Sequence, residues 1–260
     1  AQHVASGFGF LAREAGFAIA ETPIAYTPAD TYARALAVGL VNTYLGDEVG
    51  QLYVKRHFPP ETKARIDAIV ANIRTAFEMR LRKLDWMDDA TRKEAIAKLA
   101  ALKPQIGYPD KWEESSGLDI QPGKLVEDIY AVFQYDWNRM RDDLHKPVDR
   151  ELWPTPAHTV NAFYNPLSNT FTMPAGILQP PYFDPKADAA ENYGGIGAVI
   201  GHEISHGFDD RGRQFDGTGR NRNWWTAETD DRFMEKANTL IDQYDGYCPY
   251  ADACVNGLGT

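Results

Sequence analysis

The sequence predicts a mainly α protein of the α+β class, in which a helical lobe is followed by a mixed region with a β-hairpin. Apolar residues recur at three- and four-residue steps through much of the first 150 residues, which is the period of amphipathic helices. After Trp153, proline-rich segments alternate with short β-prone runs. We therefore divide the chain into an unassigned segment at 1–26, a helical lobe at 27–150 and a second region at 151–260.

Composition excludes several classes of protein. The chain has 260 residues, 43% of them hydrophobic, which is enough for one large domain or two small ones with a buried core. Its formal net charge of -10 argues against nucleic acid as a partner. No apolar run approaches the roughly 18 to 20 residues of a membrane span, and the N-terminus lacks the pattern of a signal peptide. We expect a globular protein with no membrane span in this chain.

The helical lobe begins with two helices. Pro28 and Asp30 open the first, which runs to about residue 57, with Gly46 as a candidate break. Pro59 and Pro60 end this helix and start the next. The second helix continues to about residue 85 and carries the clearest apolar stripe of the chain, formed by Ile66, Ile69, Val70, Ile73, Phe77, Leu81 and Leu84.

Two further helices follow. Asp88 or Asp89 caps a third helix that ends at about Leu102, and a fourth covers about residues 124–145, after an irregular stretch at 104–123. Aromatic residues at helical spacing are predicted to lie in the core, namely Trp86, Tyr130, Phe133 and Trp137.

The second region opens with a hairpin. Val160–Tyr164 and Thr170–Met173 are β-prone and are separated by the five residues NPLSN. An extended peptide could add to an exposed edge of such a hairpin, with the amide of Asn161 fixing its register. The alternative is an ordinary structural hairpin.

The segment Gly194–Asp210 carries the pattern H-E-x-x-H. On a helix His202 and His206 lie one turn apart, so both imidazoles can reach one zinc ion while Glu203 reaches a water bound to it. Apolar residues at helical steps support a helix, and Gly207 stands where it would end. The competing interpretation is a surface helix with two solvated histidines.

A catalytic zinc ion needs a third protein ligand. The metzincin pattern would place a histidine six residues after His206, but Gly212 stands there, so that class is excluded. A glutamate on a following helix is the other common solution. The helix predicted at about 226–244 offers Glu228 and Glu235.

The chain has two cysteines, Cys248 and Cys254, in a segment that is typical of a loop. A disulfide between them would indicate an oxidising compartment, while the alternative is two free thiols. A zinc site built on this pair is disfavoured, because C-x-x-C spacing is absent.

Long segments of the chain resemble one enzyme family. They are VGLVNTYLGDEVGQLYVKRHFPP, LDWMDDATRKEAIAKL, IGYPDKW, VNAFYNPLSNTFTMPAGILQPPYFDP, NYGGIGAVIGHEISHGFDDRGRQFDGTG and NWWT. These segments are similar to the neprilysin-like zinc peptidases, family M13, including its bacterial oligopeptidase members. The resemblance covers about residues 30–260 and implies a thermolysin-like zincin core at 151–260 beside the helical lobe. It also implies one zinc ion per complete active site and an endopeptidase or oligopeptidase activity on short peptides.

The resemblance implies a role for each polar residue of the zinc helix. His202 and His206 would be zinc ligands, Glu203 the general base toward a zinc-bound water, and Asp209 the partner that orients His206.

Substrate contacts are implied as well. Asn161 and Ala162 would hold the peptide backbone. The apolar residue after the cleaved bond would occupy a pocket, so cleavage would fall on the amino side of apolar residues. Ala198 is smaller than the residue expected from the family, which leaves the preference of the pocket open. The residues that would line it are Ile177, Tyr182, Ala198 and Val199.

The resemblance places the third zinc ligand beyond Thr260, where this sequence stops. In the family, a segment similar to 255–260 leads into an L-G-E-N-I-A-D motif whose glutamate binds zinc. The catalytic core is therefore expected to be incomplete at Thr260, and a second polypeptide is expected to complete the site. The competing hypothesis is an inactive fragment or pseudoenzyme that binds a peptide or a partner chain without turnover. The resemblance also implies an extracytoplasmic location, periplasmic or secreted, as is usual for members of the family.

Overall fold

The computed structural model describes residues 27, 29–112, 118–121, 123–250 and 253–257. Segment 1–26, Pro28 and Thr260, on which some of the predictions depend, lie outside these described residues. The described residues form eight α-helices and three strands. In chain order they are α1 Tyr32–Tyr44, α2 Gly46–His57, α3 Pro60–Leu81, α4 Asp89–Ala101, β1 Lys103–Gly107, α5 Leu125–Asp143, β2 Phe163–Asn165, β3 Thr170–Pro174, α6 Ala189–Gly194, α7 Ile196–His206 and α8 Ala227–Asp245.

Local chemistry sets the starts of these helices. Pro60 occupies the first turn of α3, where the missing N–H costs nothing. The carboxylate of Asp88 accepts the N–H of Thr91 at the start of α4, and the hydroxyl of Thr226 accepts the N–H of Thr229 at the start of α8. The predicted break at Gly46 is confirmed, because α1 ends at Tyr44 and α2 begins at Gly46.

The three strands form one mixed sheet in the order β1-β3-β2. β3 lies in the centre and is buried throughout, parallel to β1 and antiparallel to β2. The expectation of an irregular stretch from Pro104 is wrong at its start, because residues 103–107 form β1. The local sequence does not indicate this strand, because its pairing partner, β3, lies far along the chain. The division at residue 150 stays a prediction, although β1, from the first part, pairs with β3 of the second.

The hairpin is confirmed with one shift. Its first strand starts at Phe163 rather than Val160. The side-chain oxygen of Asn161 accepts the N–H of Ala162, and a local bond of this kind competes with strand pairing.

The core joins α3 to α7. Their apolar faces pack together, and the sheet covers one side of them. Full burial of an isoleucine side chain contributes about 1.5–3 kcal/mol, so this contact holds α7 firmly. The buried isoleucines and valine of the interface are Ile66, Ile69, Val70, Ile196, Ile200 and Ile204.

The predicted burial of the four aromatic residues is correct only for Trp86, which packs on Trp225 and Phe233. Tyr130, Phe133 and Trp137 of α5 are 71%, 56% and 61% exposed. Helical periodicity identifies an apolar face but carries no information about what covers it.

The two cysteines after α8 form a disulfide, so the alternative of two free thiols is wrong. Next to this bridge, the N–H of Val255 donates to the carbonyl of Tyr247 at 2.8 Å. The bridge between Cys248 and Cys254 thus closes a small loop at the end of the described chain.

No helix in the described ranges combines the length and the apolar character that a membrane crossing requires.

Candidate metal centre

Helix α7 presents two different faces. Ile196, Ile200 and Ile204 follow one another at four-residue steps and are 0% exposed. His202 and His206 lie on the opposite side, because two residues along a helix correspond to roughly half a turn. The isoleucine face therefore anchors the helix in the core and leaves both imidazoles directed toward solvent.

The two imidazoles converge. Nε2 of His202 lies 2.9 Å from Nε2 of His206, and the ring centroids are 4.4 Å apart. Two nitrogen atoms that bind one tetrahedral zinc ion at about 2.0–2.1 Å lie about 3.3 Å apart. A small opening of the pair therefore accommodates a zinc ion between them, and the donor set suits this metal.

Asp209 fixes the ring of His206. Its Oδ2 lies 2.7 Å from Nδ1 of His206, which leaves Nε2 for a metal. Its Oδ1 accepts the backbone N–H groups of Arg211 at 3.0 Å and Gly212 at 2.7 Å. Asp209 is therefore held by the loop while it orients the ligand.

Glu203 lies between the two faces of α7 and is 5% exposed. Burial raises the pKa of its carboxyl group, although the nearby His206 and His202 act in the opposite direction. A carboxyl group with a raised pKa is suited to accept and return a proton near neutral pH.

Gly212 occupies the position at which a metzincin would have a histidine. A Cβ atom at Gly212 would lie 1.7 Å from the carbonyl oxygen of His206. The loop therefore packs against the end of α7 so closely that glycine is required.

The described residues do not bring a third ligand to this pair. Among the described residues, no group of three or more His, Cys, Asp or Glu side chains is arranged to hold a metal ion. The candidates Glu228 and Glu235 are wrong, because neither lines the cleft over the histidines or belongs to a group of described residues that could hold a metal, and Glu228 binds Arg232 instead. The other expectation, a glutamate beyond Thr260, is not tested by the structure, because the described residues end at 257, before Thr260. That ligand therefore stays a prediction.

A cleft of about 650 Å³ opens over the two histidines. Its wall includes β2, which in the described part of the chain pairs only with β3 and so leaves its outer edge open. Six residues predicted to form the site line this cleft together, namely Asn161, Ala162, His202, Glu203, His206 and Asp209.

The four residues expected to form the apolar pocket lie outside the lining of this cleft. Ile177 is 6% exposed in the core, whereas Tyr182 is 42% exposed and its carbonyl accepts the N–H of Ile196. Ala198 is exposed and Val199 is half-buried against the core. Ala198 does share the face of α7 that bears the histidines, one turn before His202. The role of these four residues stays a prediction.

Sequence reasoning missed Tyr164 and Lys98. Tyr164 lines the cleft, and burial, helped by the charge of Asp209, raises the pKa of its hydroxyl group. Lys98 is 2% exposed beneath the loop that follows α7. Tyr164 could have been noticed beside Asn161, but no local pattern distinguishes Lys98 from a solvated lysine on α4.

Comparison with known proteins identifies the family. Two sequence models, both described as peptidase family M13, match residues 161–260 and 12–109. The chain belongs to peptidase family M13. The resemblance inferred from the H-E-x-x-H helix and the hairpin is thereby confirmed, as is the mainly α, thermolysin-like fold.

Relatives occur in animals and bacteria. Human membrane metallo-endopeptidase-like 1 is 39% identical over 234 residues, which are 86% of this chain and 30% of that protein. The neutral endopeptidase of Lactobacillus helveticus is 40% identical over 223 residues, 85% of this chain and 34% of that protein. The chain thus spans about a third of the length of these M13 relatives.

Solved structures agree with the fold. The zinc metalloprotease ZMP1 of Mycobacterium tuberculosis, in complex with an inhibitor, superposes with a TM-score of 0.79 at 44% identity, over 89% of this chain and 36% of that one. PEPO from Lactobacillus rhamnosis HN001 gives a TM-score of 0.80 at 37% identity, over 88% of this chain and 37% of that one. Zinc is the cofactor of this M13 site, in agreement with the histidine pair of α7.

Proposed function

We propose that this chain forms the metal-binding part of a zinc endopeptidase or oligopeptidase that cleaves short peptides on the amino side of apolar residues. One observation carries the proposal. The histidine pair, the buried Glu203 and the β2 residues Phe163 and Tyr164 all line one cleft of about 650 Å³. When bound, zinc supplies a Lewis acid and a water molecule of lowered pKa.

Each polar residue of the cleft has a separate role in this proposal. His202 and His206 hold the metal, Asp209 keeps His206 in the tautomer that binds it, and Glu203 takes a proton from the attacking water. A peptide in extended form adds to β2 through backbone hydrogen bonds. The amide of Asn161, exposed beside that edge, donates to the peptide backbone.

An apolar residue of the peptide after the cleaved bond lies toward the start of α7. Ala198 extends the histidine face by one turn, Val199 follows it in the chain and is half-buried against the core, and Ile177 belongs to the same core cluster. The small side chain of Ala198 leaves room for a large apolar group.

A glutamate outside the described residues, for which a second polypeptide is one source, supplies the third ligand. The disulfide between Cys248 and Cys254 supports an extracytoplasmic location, because such bonds persist in oxidising compartments.

A second candidate function rests on the fact that the described residues supply two zinc ligands, His202 and His206. With two histidines alone, zinc is held weakly and turnover is absent. The protein would then bind peptides or a partner chain without cleaving them.

Intact mass under denaturing conditions, zinc content and peptide cleavage separate these proposals. The cleavage assay uses short peptides that differ only in the residue after the scissile bond, either Leu, Phe, Ala or Asp. We expect about one zinc per complex and preferential cleavage before Leu or Phe. Zinc-poor material that binds these peptides without products would support the second candidate.

A further inference from the structure

Lys98 is a buried cation on the side of α4 that faces the loop after α7, residues 207–215. It is 2% exposed, and its ammonium group donates to the carbonyl oxygens of Gly212 at 2.7 Å and Phe215 at 2.6 Å. Three aromatic rings surround it at 5.7–5.9 Å, those of Tyr164, Phe208 and Trp224. The rings and carbonyls form a cradle that suits an ammonium ion.

Burial of this charge is unfavourable for folding. Loss of solvation lowers the pKa of Lys98 to about 8, although Asp209 and Asp216 act in the opposite direction. An apolar side chain of similar length would avoid this cost, because buried charges are often replaced by apolar residues without loss of stability. Stability alone therefore does not explain a lysine here.

The contacts of Lys98 lead directly to a metal ligand. The carbonyl of Gly212 accepts from Lys98, and the N–H of Gly212 donates to Oδ1 of Asp209 at 2.7 Å. Oδ2 of Asp209 lies 2.7 Å from Nδ1 of His206. Lys98 thus fixes the loop that holds the carboxylate on the histidine.

The same residue also contacts the hairpin side of the cleft. The backbone carbonyl of Lys98 accepts from the amide of Asn169 at 3.1 Å, and Oδ1 of Asn169 accepts from the hydroxyl of Tyr164 at 3.1 Å. Tyr164 lines the cleft. The ammonium group of Lys98 binds the loop after α7 and faces the ring of Tyr164 in β2, while its backbone carbonyl accepts from Asn169 before β3.

We propose that Lys98 is a positioning residue of the metal centre, which sets the orientation of His206 through Gly212 and Asp209. The inference rests on the proposed function, since it concerns the same zinc site. The side-chain hydrogen bonds of Lys98 go to Gly212 and Phe215 and not to His202, Glu203 or His206, so its effect on His206 passes through the loop.

The test compares Lys98→Met with Arg92→Met. Arg92 is also on α4 and its side chain, 19% exposed, donates to the backbone carbonyls of Leu81, Arg82, Leu84 and Met87, none of which lies on α7 or on the loop that follows it. Zinc affinity is measured by competition with a chelator, and the geometry of the site by the visible spectrum of the cobalt(II) form. Neither readout requires catalysis.

We expect Lys98→Met to weaken zinc binding about 10-fold and to change the cobalt spectrum while the protein stays folded, since loss of partners that orient a ligand costs about 10–100-fold in affinity. Arg92→Met should unfold at lower denaturant concentration and bind zinc like wild type. If Lys98→Met does not fold, Lys98→Gln, which keeps one donor group, replaces it and should show a smaller loss of affinity.

A double-mutant cycle with Asp209→Ala tests the route of the effect. If Lys98 acts through Asp209, adding Lys98→Met to Asp209→Ala should cause little further loss of zinc affinity. Wild-type zinc affinity and cobalt spectrum in the folded single variant, or additive losses in the double variant, would overturn the inference. Zinc binding without peptide cleavage by wild type would overturn the proposed function and leave this inference intact.

Discussion

Oδ2 of Asp209 lies 2.7 Å from Nδ1 of His206, while its Oδ1 accepts two backbone N–H groups of the following loop. One carboxylate thus connects a metal-binding ring to the loop that leaves its helix.

Replacement of Asp209 by Ala should weaken zinc binding about 10–100-fold, as for other partners that orient a ligand. Chelator competition measures this loss. Asp210→Ala removes a neighbouring carboxylate that also lines the cleft and should retain most of the zinc affinity. If both variants lose zinc affinity equally, the effect of Asp209 comes from its charge and not from its contact with His206.

Replacement of Glu203 by Gln should abolish peptide cleavage and spare zinc binding. The amide keeps the shape of the side chain but cannot accept the proton from water, and such proton transfer contributes typically about 10²–10⁴-fold to the rate. Cleavage rates and zinc content are measured on the same preparation. Glu191→Gln, on the exposed side of α6, is the matched control and should cleave at the wild-type rate. Retained cleavage by the Glu203 variant would remove this residue from the mechanism.

Replacement of Gly212 by Ala should destabilise the protein by at least about 1–3 kcal/mol, the usual cost of overpacking. The added Cβ would lie 1.7 Å from the carbonyl oxygen of His206, so the loop must move away from α7. Gly39→Ala provides the comparison, because nothing lies within 4 Å of its added atom and alanine favours the interior of α1 by about 0.5–1 kcal/mol. Chemical denaturation gives both values, and a Gly212 variant as stable as wild type would contradict the close packing.

Lys98 should make stability depend on pH in alkaline solution. Its pKa is about 8 in the folded protein, where it faces Asp209 and Asp216, but about 10.4 in an unfolded chain. Between these values the unfolded state binds more protons, so the free energy of unfolding should rise with pH, by about 3 kcal/mol over the window. Denaturation of wild type and Lys98→Met from pH 7.5 to 10.5 isolates this contribution as a difference. Lys83→Met, at an exposed position, should keep the wild-type slope. Parallel curves for the two lysine variants would show that Lys98 does not titrate in this window.

Asp88 should stabilise the junction between α4 and α8. Its carboxylate accepts from Thr91, Thr226 and Thr229, and these hydrogen bonds hold its pKa well below the usual range. A lowered folded pKa means that the stabilisation is complete above about pH 4 and is lost as the pH falls further. Asp88→Ala should cost about 1–3 kcal/mol at neutral pH, because it removes a helix cap and leaves hydroxyl groups without an acceptor. The adjacent and fully exposed Asp89 is the control, and Asp89→Ala should change the denaturation midpoint little.

The zinc helix could be predicted from sequence because its evidence is local. Four-residue steps of isoleucine define one face of α7, and the histidines fall on the other. Caps and prolines likewise placed α3, α4 and α8 within a few residues. The third-ligand expectation for Glu228 or Glu235 failed because spacing along the chain does not give the direction of a separate helix in space. The relation of Lys98 to His206 was invisible for the same reason, since it joins residues 98, 209 and 212 through tertiary contacts.

Strand β1 has a consequence for the order in which the cleft is assembled. β1 pairs with β3 across a separation of 67 residues, from Lys103 to Thr170 or from Gln105 to Thr172. Parallel pairing over such a distance is slow, because closing the intervening chain into a loop costs entropy before any stabilising contact between the strands forms. The helices, which depend on near neighbours, form earlier. We therefore expect the histidine pair to appear on its helix, and β2 to pair with its neighbour β3, before β1 joins the sheet, so the nascent protein would acquire the means to capture a metal ion before the sheet behind the substrate edge is complete.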